Sequence, residues 1–261
     1  MTMVRVGTGL SEEDTMSIES AEDLAGMELA GRVTRAVLNA MKEAVRPGIS
    51  TAELDEVGAA VMRGAGGRSA PKLVYNFPGQ TCISVNDEIV HGIPGKRRLV
   101  AGDVVKLDVT VEVNGYMADA CESVGVGSIK QESRRLVECA AKAFRDGLAQ
   151  VRPGARAYDI GRAVHKTVTR AGYSVVNDLT GHGIGRTIHE KPTIPNDYNL
   201  RCSDLLTEGL MFTIEPIIAM GGPRTVTLKD GWTVRTRDRS LAAHYEHTVV
   251  VTPHGARLLT A

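Results

Sequence analysis

The chain repeats itself once. VRPGISTAELDEVGAAVMRGAGG, beginning at Val45, returns as VRPGARAYDIGRAVHKTVTRAGY, beginning at Val151. A gapless alignment puts Leu54 on Ile160, Met62 on Val168 and Gly66 on Gly172. Further on, NDEIVHG ending at Gly92 is echoed by NDLTGHG ending at Gly183, and AGDVVKLD ending at Asp108 by EGLMFTIE ending at Glu215. One such pair could be chance; several in the same order are a constraint on the fold. The period is too long, and repeated too few times, for a solenoid. Each half reads as helix, helix, histidine loop, then a hairpin bearing a carboxylate. The expectation is an α+β fold in which two halves, related by a pseudo-twofold axis, share one sheet.

Local signals fill in the elements. Leu24, Met27, Val33, Val37, Met41 and Val45 recur at helical spacing, and Pro47-Gly48 stops the run. Ser50 and Glu53 form a capping box for a second helix ending near Gly64. A loop rich in proline and glycine and an extended segment over Thr81–Val85 follow. Residues 104–113 and 116–124 read as strands joined by a two-residue turn at Asn114-Gly115. Helical patterns return at 132–149 and 157–171, and strands at 210–219, 225–229, 232–236 and 245–252, with a turn at Asp230-Gly231. Residues 1–16 read as a flexible arm, and residues 17–261 as one catalytic domain with halves at about 17–129 and 130–255.

The 261 residues carry 31 basic and 31 acidic side chains. A zero net charge argues against broad nucleic-acid or membrane-surface binding, which draws on a basic field. The short clusters KRR at 96–98 and RTRDR at 235–239 read as solvated faces. Cys82, Cys121, Cys139 and Cys202 match no disulfide or zinc-ribbon spacing, so reduced thiols are expected. The N-terminus lacks the apolar core of a signal peptide, and the expected location is the cytoplasm.

The chemistry is concentrated in acidic residues set among apolar strands. With Asn114-Gly115 as the turn, Val113 faces Tyr116, Thr110 faces Asp119 and Asp108 faces Cys121. Side chains alternate faces with period two, so Asp108 and Asp119 become diagonal neighbours on one face. Glu215 in MFTIEPII and Glu246 in AHYEHTVVV repeat the problem. Unpaired carboxylates in such surroundings repel one another and lose hydration. Hydrogen bonds to nearby backbone or a salt bridge to an arginine would be the alternative, but no comparable set of buried basic residues is evident, and metal is the cheaper explanation. Four carboxylates with one or two imidazoles suit two divalent ions, with Mn, Fe, Co or Zn matching the mixed oxygen–nitrogen set. Among histidines, His182 in TGHGIGRTIHE and His91 in NDEIVHGIPG lie in glycine-flanked loops at corresponding positions of the two halves, and His189 follows His182. His165, His244, His247 and His254 read as structural or surface residues. HEKPT lacks the second histidine of a zincin, and no nucleophile elbow, Walker A loop or dinucleotide fingerprint is present.

The pieces CISVNDEIVHGIPG (82–95), KLDVTVEVNGYMADA (106–120), GHGIGRTIHE (181–190), MFTIEPI (211–217) and DGWTVRTRDRSLAAHYEHTVVVT (230–252) together resemble the type I methionine aminopeptidases, of the metallopeptidase family with the pita-bread fold. The resemblance spans about residues 20–255. It implies a curved, mainly antiparallel sheet with helices on its outer face, and two divalent ions held by Asp108, Asp119, His182, Glu215 and Glu246. Asp119 and Glu246 would bridge the ions, Asp108 would chelate one, and His182 and Glu215 would complete the other. Glu215 would accept the proton of the attacking water, and His91 and His189 would contact the substrate just outside the metals. The implied reaction is removal of the initiator methionine from a nascent polypeptide with a small second residue. The protein would be a monomer in transient contact with the ribosome, with no DNA or membrane partner.

Phe77, Cys82, Trp232, Val74 and Ile188 would line the methionine pocket. Pro71, Val74, Phe77 and Ile188 stand where cysteine, tyrosine, tyrosine and phenylalanine are more familiar in the family, and Ala120 replaces the usual hydroxyl residue after Asp119. The pocket stays apolar but its shape changes. The resemblance implies a minimal enzyme, without the extra domain of the prolidases. A proline-directed peptidase and a non-catalytic protein using the same cleft are the rival readings.

Overall fold

The computed structural model describes residues 20–261, so the arm expected at 1–16 lies outside the described residues. The first half runs α1 (Ala21–Ala44), α2 (Thr51–Gly64), β1 (Arg68–Ser69), α3 (Ala70–Tyr75), β2 (Cys82–Val85), β3 (Glu88–Val90), β4 (Val104–Val113) and β5 (Tyr116–Gly125). The second runs α4 (Gln131–Leu148), α5 (Ala157–Arg170), β6 (Ser174–Val175), β7 (Gly181–Gly183), β8 (Glu190–Ile194), β9 (Met211–Ile214), β10 (Ile217–Ala219), β11 (Thr225–Thr227), β12 (Val234–Thr236), β13 (Ala242–Thr252) and β14 (Gly255–Leu258).

Helix boundaries follow from their caps. Ser20 accepts the amide of Asp23 at the start of α1. At α2 the capping box is complete: Ser50 Oγ accepts from the Glu53 amide, and Glu53 Oε2 accepts from the Ser50 amide at 2.8 Å. The segment expected to be all loop after Gly64 contains α3. Ser69 caps it, Pro71 occupies its first turn, and Asn76 ends it in the left-handed conformation. At six residues it is too short to show a helical period.

One sheet carries the backbone order β1-β4-β5-β13-β9-β7-β8, with β2 also on β4, β10 and β14 also on β13, and β6 on β10. All these pairings are antiparallel. The halves meet where β5 pairs with β13, and β4 and β9 flank that junction on either side. A small second sheet has the order β11-β12-β3. The single strand expected at 210–219 is two, because Glu215-Pro216 interrupts it; β10 pairs with the start of β13 (Ala242–His244) and β9 with its later part (His247–Val250). The last long strand begins at Ala242 rather than at 245.

Each half has its own core on the helix side of the sheet. Val105, Leu107, Val109 and Val111 pack with Val37, Leu38 and Met41 of α1 and Leu54 and Met62 of α2. In the second half Phe212, Ile214, Val249 and Val251 pack with Leu136 and Phe144 of α4 and Ile160 and Val164 of α5. Burying such branched side chains is worth about 1.5–3 kcal/mol each. The other side of the same strands, displayed by the period-two alternation, is left for chemistry.

Candidate metal centre

The register across four strands builds the site. Cys82 on β2 faces Asp108 on β4, Asp108 faces Cys121 on β5, and Cys121 faces Glu246 on β13. Thr110 faces Asp119, as the hairpin count predicts, so the two aspartates are diagonal neighbours with no bulge between them. From the other half, β7 delivers His182, and the residue after β9 is Glu215. Thr213 joins these two. Its hydroxyl accepts the His182 amide at 3.1 Å and donates to Glu215 Oε1 at 2.8 Å. The His182 Nδ1 lies 3.0 Å from the Gly183 carbonyl, which accepts a hydrogen bond from it, so the proton stays on Nδ1 and Nε2 presents its lone pair 3.5 Å from Glu215 Oε1.

Asp108, Thr110, Asp119, His182, Glu215 and Glu246 line one cleft of about 320 Å³, together with His91, His189, Phe77, Cys82, Ile188 and Trp232. Phe77 and Trp232 meet edge to face, with ring centroids 5.2 Å apart. Val74 lies beside the cleft, packed against the cluster of Ala70, Met117, Ile184 and Ile188, while Pro71 and Tyr75 of the same helix reach the wall. His91 follows β3 with φ 57°. It lies at the edge of the small sheet, whereas His182 lies within the large one, so the repeat's two histidines hold unlike positions. His189 is exposed at the cleft, its ring 4.2 Å from that of His182 and its Nδ1 against the Tyr75 hydroxyl.

Electrostatics tests whether these residues fit a cation. Burial, then repulsion from Asp119 and Glu215, raises Asp108 well above the ordinary carboxylate range. Burial raises Glu215 and Glu246 in the same way, with neighbouring carboxylates adding to it. Asp119 is raised to about 6 by burial, held back by its hydrogen bond from Thr110. Asp119 Oδ1 is buried with no hydrogen-bond partner. The sequence hides one buried base, Lys106, but its ammonium is spent on the carbonyls of Asn86 (2.6 Å) and Ala242 (3.3 Å). Among the described residues, four acids therefore converge without a cation to balance them, and their oxygens with the His182 imidazole suit divalent ions. Among the described residues, two donor sets have mutually close ligand atoms, Asp119–His182–Glu246 and Glu215–His244–Glu246.

His244 is the residue that sequence reasoning misplaced. It is 2% exposed, lines the cleft and points its Nε2 toward Glu246. Burial, with His91 and Lys106 nearby, lowers its pKa to about 3; burial likewise lowers His182 to about 4. The signal was available: positions 244 and 246 of one strand share a face. His247, on the opposite face, is structural as expected, its ring nitrogens meeting Thr260 Oγ1 and the Tyr245 hydroxyl.

The profile of metallopeptidase family M24 matches residues 25–253, and the chain belongs to that family. Methionine aminopeptidases of that family are among its relatives. It is 40% identical to that of Clostridium perfringens over 243 residues, 93% of this chain and 98% of the other. It is also 40% identical to methionine aminopeptidase 2 of Bacillus subtilis, across 94% and 99% of the two chains. The crystal structure of methionine aminopeptidase from Rickettsia prowazekii superposes with a TM-score of 0.90 at 38% identity, covering 94% of this chain and all of that one. A prolidase from Pyrococcus furiosus shares the fold, with a TM-score of 0.77 at 23% identity and 65% of its length covered. The architecture is the family's pita-bread fold, and the family's chemistry depends on divalent metal.

Proposed function

We propose that this chain is a methionyl aminopeptidase that removes the initiator methionine from nascent polypeptides, preferring a small second residue. It works in the cytoplasm as a monomer, in transient contact with the ribosome, and residues 17–261 form one catalytic domain. The observation that carries the reading is three buried carboxylates, Asp119, Glu215 and Glu246, gathered with half-buried Asp108 and His182 in a cleft that Phe77, Ile188, Ile217 and Trp232 also line. Among the described residues no helix is long and apolar enough to cross a membrane.

Asp108, Asp119, His182, Glu215 and Glu246 would hold two divalent ions. Co, Mn, Fe and Zn all suit this donor set. Bound there, two divalent ions supply Lewis acidity, lowering the pKa of the attacking water and polarising the scissile carbonyl. The rest falls to the protein. Glu215 takes the proton of the attacking water. His189, exposed at the cleft, donates to the oxygen that gains charge, and His91 donates to the departing nitrogen. The free amine of the substrate is held by the acidic cluster, which confines cleavage to the first residue. Phe77, Cys82, Trp232 and Ile188 receive the methionine side chain, with Val74 behind them.

The test is methionine release from Met-Ala-Ser, Met-Leu-Ser and an X-Pro peptide by metal-reconstituted protein. Strong release from the first alone is expected. Activity on X-Pro alone would move the protein to a proline-directed specificity, and silence on all three with two ions bound would overturn the reading.

A further inference from the structure

We propose that His244 is a sixth protein donor to the metal pair, placing a second imidazole on the Glu215–Glu246 side of the centre. The inference rests on the reading of this cleft as a two-metal site.

The backbone leaves His244 little freedom. Ser123 on β5 brackets it, accepting its amide and donating to its carbonyl, both at 2.9 Å. On its other side the residue pairs with Ile217 of β10. Alternation along β13 then puts its ring on the face that carries Glu246. Its Nε2 comes to 3.3 Å from Glu246 Oε2 and 3.9 Å from Glu215 Oε2.

The ring is otherwise idle. Neither Nδ1 nor Nε2 has a hydrogen-bond partner, although both are buried. Both ring nitrogens of His247 have partners, and His182 Nδ1 is taken by the Gly183 carbonyl. A buried imidazole with no partner is costly unless something absent from the protein itself completes it. The two close donor sets share Glu246 and otherwise divide the residues, one with His182 and one with His244. Such a division gives each of two ions its own imidazole and makes Glu246 common to both.

Cobalt(II) loading supplies a readout independent of turnover. Each imidazole bound to the paramagnetic ion contributes one strongly shifted, exchangeable N–H proton resonance. The wild-type protein with two cobalt ions should show two such resonances, assigned by 15N-histidine labelling. His244→Gln should show one and should bind its weaker ion at least about tenfold less tightly in equilibrium dialysis. Two bound ions with a single shifted imidazole in the wild type overturn the inference while leaving the two-metal reading standing. Fewer than two bound ions in the wild type overturn both. The wild-type count decides even if the variant folds poorly.

Discussion

Thr110 stands directly opposite Asp119 across the β4–β5 hairpin, and its hydroxyl donates to Asp119 Oδ2 over 2.8 Å while Oδ1 is left free. The bond orients the carboxylate and opposes the rise in its pKa. Thr110→Val keeps the shape of the strand but removes the donor, so divalent-ion affinity should fall by about tenfold or more. Thr110→Ser should keep it. Equilibrium dialysis against the same cation measures both, and unchanged affinity in the valine variant would sink the assignment.

Tyr75 was not singled out by sequence, yet its hydroxyl meets Nδ1 of His189. Burial raises the phenol's pKa, so it keeps its proton and donates. The remaining ring proton of neutral His189 is then on Nε2, the nitrogen needed at the substrate. Tyr75→Phe should lower kcat on Met-Ala-Ser about tenfold with KM nearly unchanged. A change confined to KM would show that Tyr75 only shapes the pocket.

The glycines around His182 are required by space. A Cβ on Gly181 would lie 2.4 Å from the Thr213 carbonyl oxygen, and one on Gly183 2.1 Å from that of Lys191. Both obstacles are backbone, which cannot swing aside. Gly183→Ala should lower Tm by about 3–10 °C and weaken metal binding. Gly64→Ala, where a Cβ meets nothing within 4 Å, is the control and should leave Tm unchanged or raise it. Equal melting of both variants would refute the steric account.

Glu122 of β5 ties the sheet to α1 through Arg35 at 2.5 Å and through Lys42. Burial opposes its charge, but hydrogen bonds and attraction from Lys42 and Arg35 win, and its pKa falls below the usual 4.5. The folded state therefore binds fewer protons at this site than the unfolded one. Its stabilisation is full above the unfolded value and is lost as pH falls through the folded one. Glu122→Gln should cost about 1–3 kcal/mol at pH 7, with little difference from wild type below about pH 3. A gap that persists into acid would mean that packing, not charge, is responsible.

What the sequence reveals here is what local rules control. The Asn114-Gly115 turn sets the register of both aspartates, and the Ser50–Glu53 box sets the start of α2, because each depends on residues a few positions apart. The placement of His244 and Lys106 depends on β13 pairing with β5 and β10, contacts between residues more than twenty or a hundred positions apart along the chain. Strand periodicity could have put His244 beside Glu246, but not beside Glu215. Likewise, only the fold shows that Lys106 caps carbonyls instead of neutralising the acids. The repeat foretold the two helix pairs and the shared sheet, but not that its second histidine alone would enter that sheet.

The seam between β5 and β13 has a consequence for how the protein comes into being. Asp108 and Asp119 are made more than a hundred residues before Glu246, and the strand that carries Glu246 closes against β5 only after residues 242–252 have been released. Until then the early aspartates have no opposite wall. The acidic cluster is thus assembled only once β13 has been made, and a chain ending before β13 would lack Glu246 and the strand that carries it.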